Sequence, residues 1–186
     1  MEIKTSVTKN TDIERYDIRV GYDWTTIAIS SNGLFMAEGS YGNYAYWWSN
    51  HGRESFKHFL VELDRDHGYA KGKFGRQDTF YQDKTVKEIK SQLLEARRKG
   101  DLTKEDARDA YDFTCSTLDD INSLDLFVNS IYEHHVLSNF YQDYDSIPIH
   151  RGFDQQLEAF MTTIFTVFVA EIKKEIYGEQ NEKSDT

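Results

Sequence analysis

The chain has 186 residues, 39% of them apolar and 15% aromatic, and its 22 Lys and Arg against 32 Asp and Glu give a formal net charge of −10. With Tyr and Phe at twelve each, this composition excludes an intrinsically disordered chain and predicts a core built on large rings. A single cysteine, Cys115, excludes an internal disulfide and a cysteine-based zinc cluster.

The charge is uneven along the chain. Residues 1–100 hold 16 Lys and Arg against 14 Asp and Glu, whereas residues 101–186 hold 6 against 18. A surface this acidic disfavours direct contact with nucleic acid or anionic membrane and steers encounters toward a basic partner. The opening MEIKTSVTKNTDIERY lacks the apolar stretch of a secretory leader. AFMTTIFTVFVA at 159–170 is too short to span a bilayer and carries Thr162, Thr163 and Thr166. The expected setting is a reducing cytoplasm.

In chain order, YDIRVG at 16–21, WTTIAIS at 24–30, LFMAEGS at 34–40 and NYAYWW at 43–48 are β-branched and aromatic runs separated by turn signals. They predict an antiparallel meander over 16–48, with Ser31-Asn32-Gly33 as its clearest hairpin. Alternation in the last strand puts Tyr44, Tyr46 and Trp48 on one face and Ala45 and Trp47 on the other. Phe56, Phe59, Leu60 and Leu63 recur at helical spacing and predict an amphipathic helix over 53–65 that covers one sheet face.

DHGYAKGKFGRQDTFYQD reads as a glycine-punctuated connection. TVKEIKSQLLEARRKG follows as a helix with Val86, Ile89, Leu93 and Ala96 on one stripe, cations at Arg97, Arg98 and Lys99, and a stop at Gly100. Thr103 as N-cap with Asp106 three residues on opens the next helix, so the two form an αα-hairpin. Leu124, Phe127, Val128 and Ile131 predict a helix over 123–138. The loop YQDYDSIPIHRG precedes a last helix whose stripe is Phe153, Leu157, Phe160, Ile164, Phe168 and Ile172. The width of that stripe leaves room for a homodimer through 153–176. These elements give an α+β class, a small antiparallel sheet of three to four strands packed against about four to five helices. The reading is a single domain over 1–177 with a solvated tail over 178–186.

Chemistry-bearing motifs are weak. DRDHG at 64–68 begins like a calcium loop but has Tyr69 at the sixth position and Gly75 at the twelfth, where glycine and a bidentate glutamate are needed. Glu133-His134-His135 with Asp143, Asp145 and His150 is the densest grouping of metal-ligand types. Adjacent residues of a helix diverge by ~100°, so no metal is assigned there. GYAKGKFGR fits neither phosphate-loop pattern, GxSxG is absent, and Cys115 has no histidine near it in sequence. No catalytic residue and no cofactor is assigned. The rival reading is an enzyme using His134, His135 or His150 with carboxylates on a nucleotide signal or a protein.

Glu105, Asp109 and Asp112 fall at i, i+4 and i+7, with Asp101, Asp106, Asp119 and Asp120 beside them. Like charges at this spacing are mildly destabilising. Either the helix dipole and solvent account for the first of them, or the row imitates a phosphate backbone and addresses a cationic groove. On the second account these seven carboxylates bind the partner, and Tyr41 and Trp47 supply apolar anchors.

DIRVGYDWTTIAISSNGLF, GSYGNYAYWWSNHGRESFKHFLVEL and TVKEIKSQLLEARRKGDLTKEDARDAYD, taken in that order, resemble small accessory proteins encoded by tailed bacteriophages and prophages. The resemblance covers most of residues 16–175. It transfers no catalytic residue. It implies a product working in the cytoplasm of a bacterial host that binds and disables a host defence protein, CRISPR nuclease complexes among them. A phage assembly or structural component is the remaining alternative.

Overall fold

The computed structural model describes residue 9 and residues 11–182, without the side chains of 179–182. It is an α+β protein. The chain divides into two compact units, the first from Met1–Arg76 and Phe153–Thr186, the second from the intervening Gln77–Gly152.

The first unit opens with β1 (Ile13–Val20), β2 (Asp23–Ser30), β3 (Leu34–Gly39) and β4 (Gly42–Trp47), an antiparallel meander in the order β1-β2-β3-β4. Its central turn depends on Gly33, whose φ of +95° is open only to glycine at low cost, and a Cβ there would run into the Trp48 carbonyl. The Gly33 N–H closes the turn on Ser30 O at 3.0 Å, and its carbonyl accepts the Trp48 N–H at 2.9 Å. Gly33→Ala is expected to lower the unfolding free energy by at least about 1–2 kcal/mol from backbone strain alone, measured by urea denaturation. An unchanged midpoint would mean the turn is not needed.

Alternation sends Ile27, Ile29, Phe35 and Ala37 into the core. There they meet α1 (Phe56–Leu63), α2 (His67–Phe74), α7 (Gln155–Ala159) and α8 (Thr166–Glu182). Between α7 and α8 the helix widens to π geometry over Phe160–Phe165, where Thr162 Oγ1 donates to Glu158 O and Thr166 Oγ1 to Met161 O. The wider turn buries neighbouring pairs, Phe160 with Met161 and Ile164 with Phe165. The final stripe faces the core of this unit: Leu157, Phe160, Ile164, Phe168 and Ile172 are all core residues. The α8 helix runs on to Glu182, and residues 183–186 of the expected tail lie outside the described residues.

The segment read as a glycine-punctuated connection contains α2, which is a correction. Asp66 caps it by accepting the Tyr69 N–H at 3.0 Å, Ala70 is fully buried, and Lys71 reaches Glu158 at 2.8 Å. The carboxylates of the calcium-like DRDHG are thus structural. Asp66 is the cap, and Asp64 pairs with Lys173 at 3.1 Å.

Beside the sheet, Lys57 Nζ donates to Glu14 and Glu175 at 2.6 and 2.7 Å, and the Tyr16 hydroxyl reaches the same two carboxylates. Burial works against the Lys57 charge, but its hydrogen bonds to Glu14, Glu175 and Tyr16 outweigh that and raise its pKa above 10.5. Burial also raises the Tyr16 phenol above 10.0. Both groups keep their protons when folded at a pH where the unfolded chain has released them. Their stabilisation is therefore complete below about pH 10 and is lost as pH climbs toward the raised values. The urea midpoint is expected to fall above about pH 10, and Lys57→Met should flatten that fall. A profile identical in the variant would remove Lys57 from the explanation.

In the second unit, β5 (Thr79–Phe80) pairs with β6 (Arg151–Gly152), so both ends of this unit run side by side. Between them lie α3 (Gln82–Lys99), α4 (Lys104–Ser116), α5 (Leu124–Glu133) and α6 (His135–Phe140). The α3 helix ends at Gly100, φ +86°, and α4 begins behind the Thr103 cap. Ile89, Leu93, Ala110, Leu118, Phe127, Ile131 and Leu137 form the core of this unit. The helix expected over 123–138 is two helices, because His134 takes φ −87°, ψ 119° and turns the chain.

Candidate functional site

The seven carboxylates singled out in the sequence all lie in the second unit, on α4 and its flanks. Four are engaged internally. Asp106 accepts from Thr103 Oγ1 at 2.8 Å as part of the α4 cap, Asp112 faces Arg108 at 3.6 Å, and Asp119 pairs with Lys90 at 3.2 Å. Asp109 Oδ2 lies 3.3 Å from His134 Nε2 and 3.9 Å from His135 Nδ1. Asp101, Glu105 and Asp120 are exposed, with no side-chain ion pair or hydrogen bond among the described residues. Exposed ion pairs contribute little stability, but Arg108 and Lys90 cancel charge on Asp112 and Asp119 that a phosphate mimic needs.

The Asp109 pairing depends on the break at His134. Its side chain caps α6, Nδ1 accepting the Leu137 N–H at 3.4 Å, and its ring lies on Phe113 with centroids 4.3 Å apart. Burial pushes its pKa below the ordinary histidine value, the Asp109 carboxylate opposes that, and His135 adds to it. The side chain of His134 is 10% exposed and that of His135 76%. The two rings stack 5.3 Å apart at 23°. The ~100° divergence expected of neighbours on one helix therefore does not apply. His150 does not join them. Its N–H donates to Thr85 Oγ1 at 2.9 Å beside β6.

Tyr41 and Trp47 lie in the first unit. Tyr41 is half buried against the core, its hydroxyl donating to Asp23 at 2.7 Å. Trp47 is 60% exposed, held by its Nε1–H on Asn32 O at 2.9 Å.

Trp47 opens onto a larger feature. Strand register lays side chains in cross-strand rows on the sheet face opposite the core. Leu34 pairs with Trp47, and Ala28, Met36 and Ala45 form the adjoining row. Met36, 50% exposed, and Trp47 thus adjoin with Leu34, Ala28 and Ala45 between them, while Ile13 on β1, 52% exposed, stands opposite Ser30, and Arg15 stands opposite Ala28. A polar row of Asp17, Thr26, Glu38 and Asn43 follows, and then Trp24, 48% exposed, beside Arg19. A depression of about 380 Å³ runs over Thr26, Ala28, Met36, Glu38, Asn43 and Ala45. Charges on this face balance in number, Arg15 and Arg19 against Asp17 and Glu38, with Asp17 pairing with Arg15 at 2.9 Å. Sequence reasoning named Trp47 and missed Trp24 and Met36. The missed signal was alternation carried across β2 and β3 from the Ser31-Asn32-Gly33 turn.

No described helix is long and apolar enough to cross a membrane. No curated protein and no solved structure matches the chain. Residues 1–175 match the model of a family described as a Phage family, and with that match over nearly its whole length, the chain belongs to this family of phage-encoded proteins.

Proposed function

We propose that the protein acts by contact, binding and disabling a host defence protein through the open face of its four-stranded sheet. The observation that carries this reading is that Met36 and Trp47, in adjoining cross-strand rows with Ala28, Leu34 and Ala45, stand exposed on one sheet face. A contiguous apolar patch of this kind, rimmed by polar residues, marks an interaction surface. Tryptophan and methionine are among the residue types enriched there. The balanced charge of the face and the net charge of −10 favour a protein partner over single-stranded nucleic acid, which needs a cationic groove beside its stacking rings.

The α4 carboxylates enter as a secondary, steering element. Asp101, Glu105 and Asp120 make no side-chain ion pair among the described residues, while Asp106, Asp109, Asp112 and Asp119 are committed within the second unit. A basic, nucleic-acid-binding host protein such as a CRISPR nuclease complex is the partner class that phage origin and acidity together favour.

The test is capture of partners from a bacterial host lysate with the wild type, Trp47→Ala, Met36→Ala and the triple variant Asp101→Ala, Glu105→Ala, Asp120→Ala, at low and high salt. The reading expects one partner retained at high salt by the wild type, lost by the sheet variants and weakened only at low salt by the triple variant. Capture that survives both sheet variants overturns it.

A further inference from the structure

The geometry points to a binding site for a divalent transition-metal ion of the zinc class formed by Asp109, His134 and His135 in the second unit. Two imidazole nitrogens and one carboxylate oxygen converge there, all within 4.8 Å of one another. In a tetrahedral site with bonds of ~2.0–2.2 Å, ligand atoms stand roughly 3.3–3.6 Å apart. Asp109 Oδ2 is already 3.3 Å from His134 Nε2 and 3.9 Å from His135 Nδ1. The remaining closure falls to His135, the exposed and least constrained of the three, while His134 is fixed by burial against Phe113. Mixed imidazole and carboxylate donors select a zinc-like cation over magnesium or calcium, which take oxygen ligands. Three protein ligands leave a fourth position open to water or a partner's side chain.

Loading has a structural consequence at the helix break. While His134 Nδ1 accepts the Leu137 N–H, the neutral ring carries its proton on Nε2, facing Asp109. Coordination through Nε2 requires that proton to be released to solvent and another to be taken up at Nδ1. No net proton is lost from the ring, and the Leu137 N–H loses its acceptor. Metal occupancy is thus coupled to the cap of α6.

The assignment is independent of the sheet-face reading. It is tested by titrating the full chain with Co2+ and following its visible d–d bands, with displacement by Zn2+. Saturation at one equivalent is expected, with a shift of the Leu137 amide resonance. Asp109→Asn and His135→Gln should each weaken binding at least tenfold. These exposed positions carry the test because His134 substitutions also remove the cap. Absence of saturable binding, or binding unmoved by either variant, overturns the site.

Discussion

Replacing Phe35 by alanine is expected to lower the unfolding free energy by about 3–5 kcal/mol, read as a fall in urea midpoint at unchanged slope. Phe35 is fully buried, and its ring meets those of Phe74, Phe165, Phe168 and Trp48 at centroid distances of 5.1, 6.0, 6.0 and 6.5 Å. Those rings come from α2, the π turn, α8 and the end of the meander, so one truncation opens a void facing four elements. None can close it without moving the others. Met36, the next residue on the same strand, points to the open face and is half exposed. Met36→Ala should therefore stay within about 0.5 kcal/mol of the wild type. Comparable losses at both positions would show that the open face is covered in the folded chain, and a Phe35→Ala loss below about 1 kcal/mol would show that this ring does not organise the core.

The meander, the αα-hairpin and the last helix were legible because their signals are local. β-branched runs alternate, Gly33 and Gly100 sit where positive φ is needed, and Thr103 stands ahead of an apolar stripe. The α2 helix was not legible. HGYAKGKF has two glycines and no amphipathic stripe, so beyond the local Asp66 cap it is held by the Lys71–Glu158 pair and the packing of Ala70 and Phe74, contacts with residues far along the chain. The break at His134 was hidden for a related reason. Every residue from Ser130 to Val136 is compatible with a helix, and burial of Val136 and Leu137 decides the turn. That break brings both histidines to Asp109, so the ~100° divergence of helical neighbours does not hold for this pair.

The acidic row was legible as a row, but not its partners. Lys90, Arg108 and His134 are 29, 4 and 25 residues from the carboxylates they face, and only Arg108–Asp112 is a spacing that a helical wheel reveals. Alternation likewise divided Tyr44 and Tyr46 from Trp47 without saying which face helices would cover.

Trp47→Ala is expected to weaken partner binding by at least about 2 kcal/mol, roughly 30-fold in Kd, with Met36→Ala nearer tenfold. Both side chains lie in adjoining cross-strand rows, where contact with a partner would remove them fully from water. Trp47 is the better anchor because its Nε1–H is already spent on Asn32 O at 2.9 Å. The ring is held in place before binding, and little further conformational entropy is lost on docking. That bond also makes Trp47→Ala an imperfect probe, since losing it weakens the turn by about 1 kcal/mol. Trp47→Phe separates the two effects: it gives up the same bond and keeps most of the apolar ring, so it should bind within tenfold of the wild type. Trp24→Ala, across the polar row, should lose less than Trp47→Ala. The carboxylate triple variant should slow association and reduce its salt dependence while changing dissociation little. If the triple variant instead abolishes binding while Trp47→Ala and Met36→Ala bind normally, the partner is held by α4, and the sheet face is not the contact.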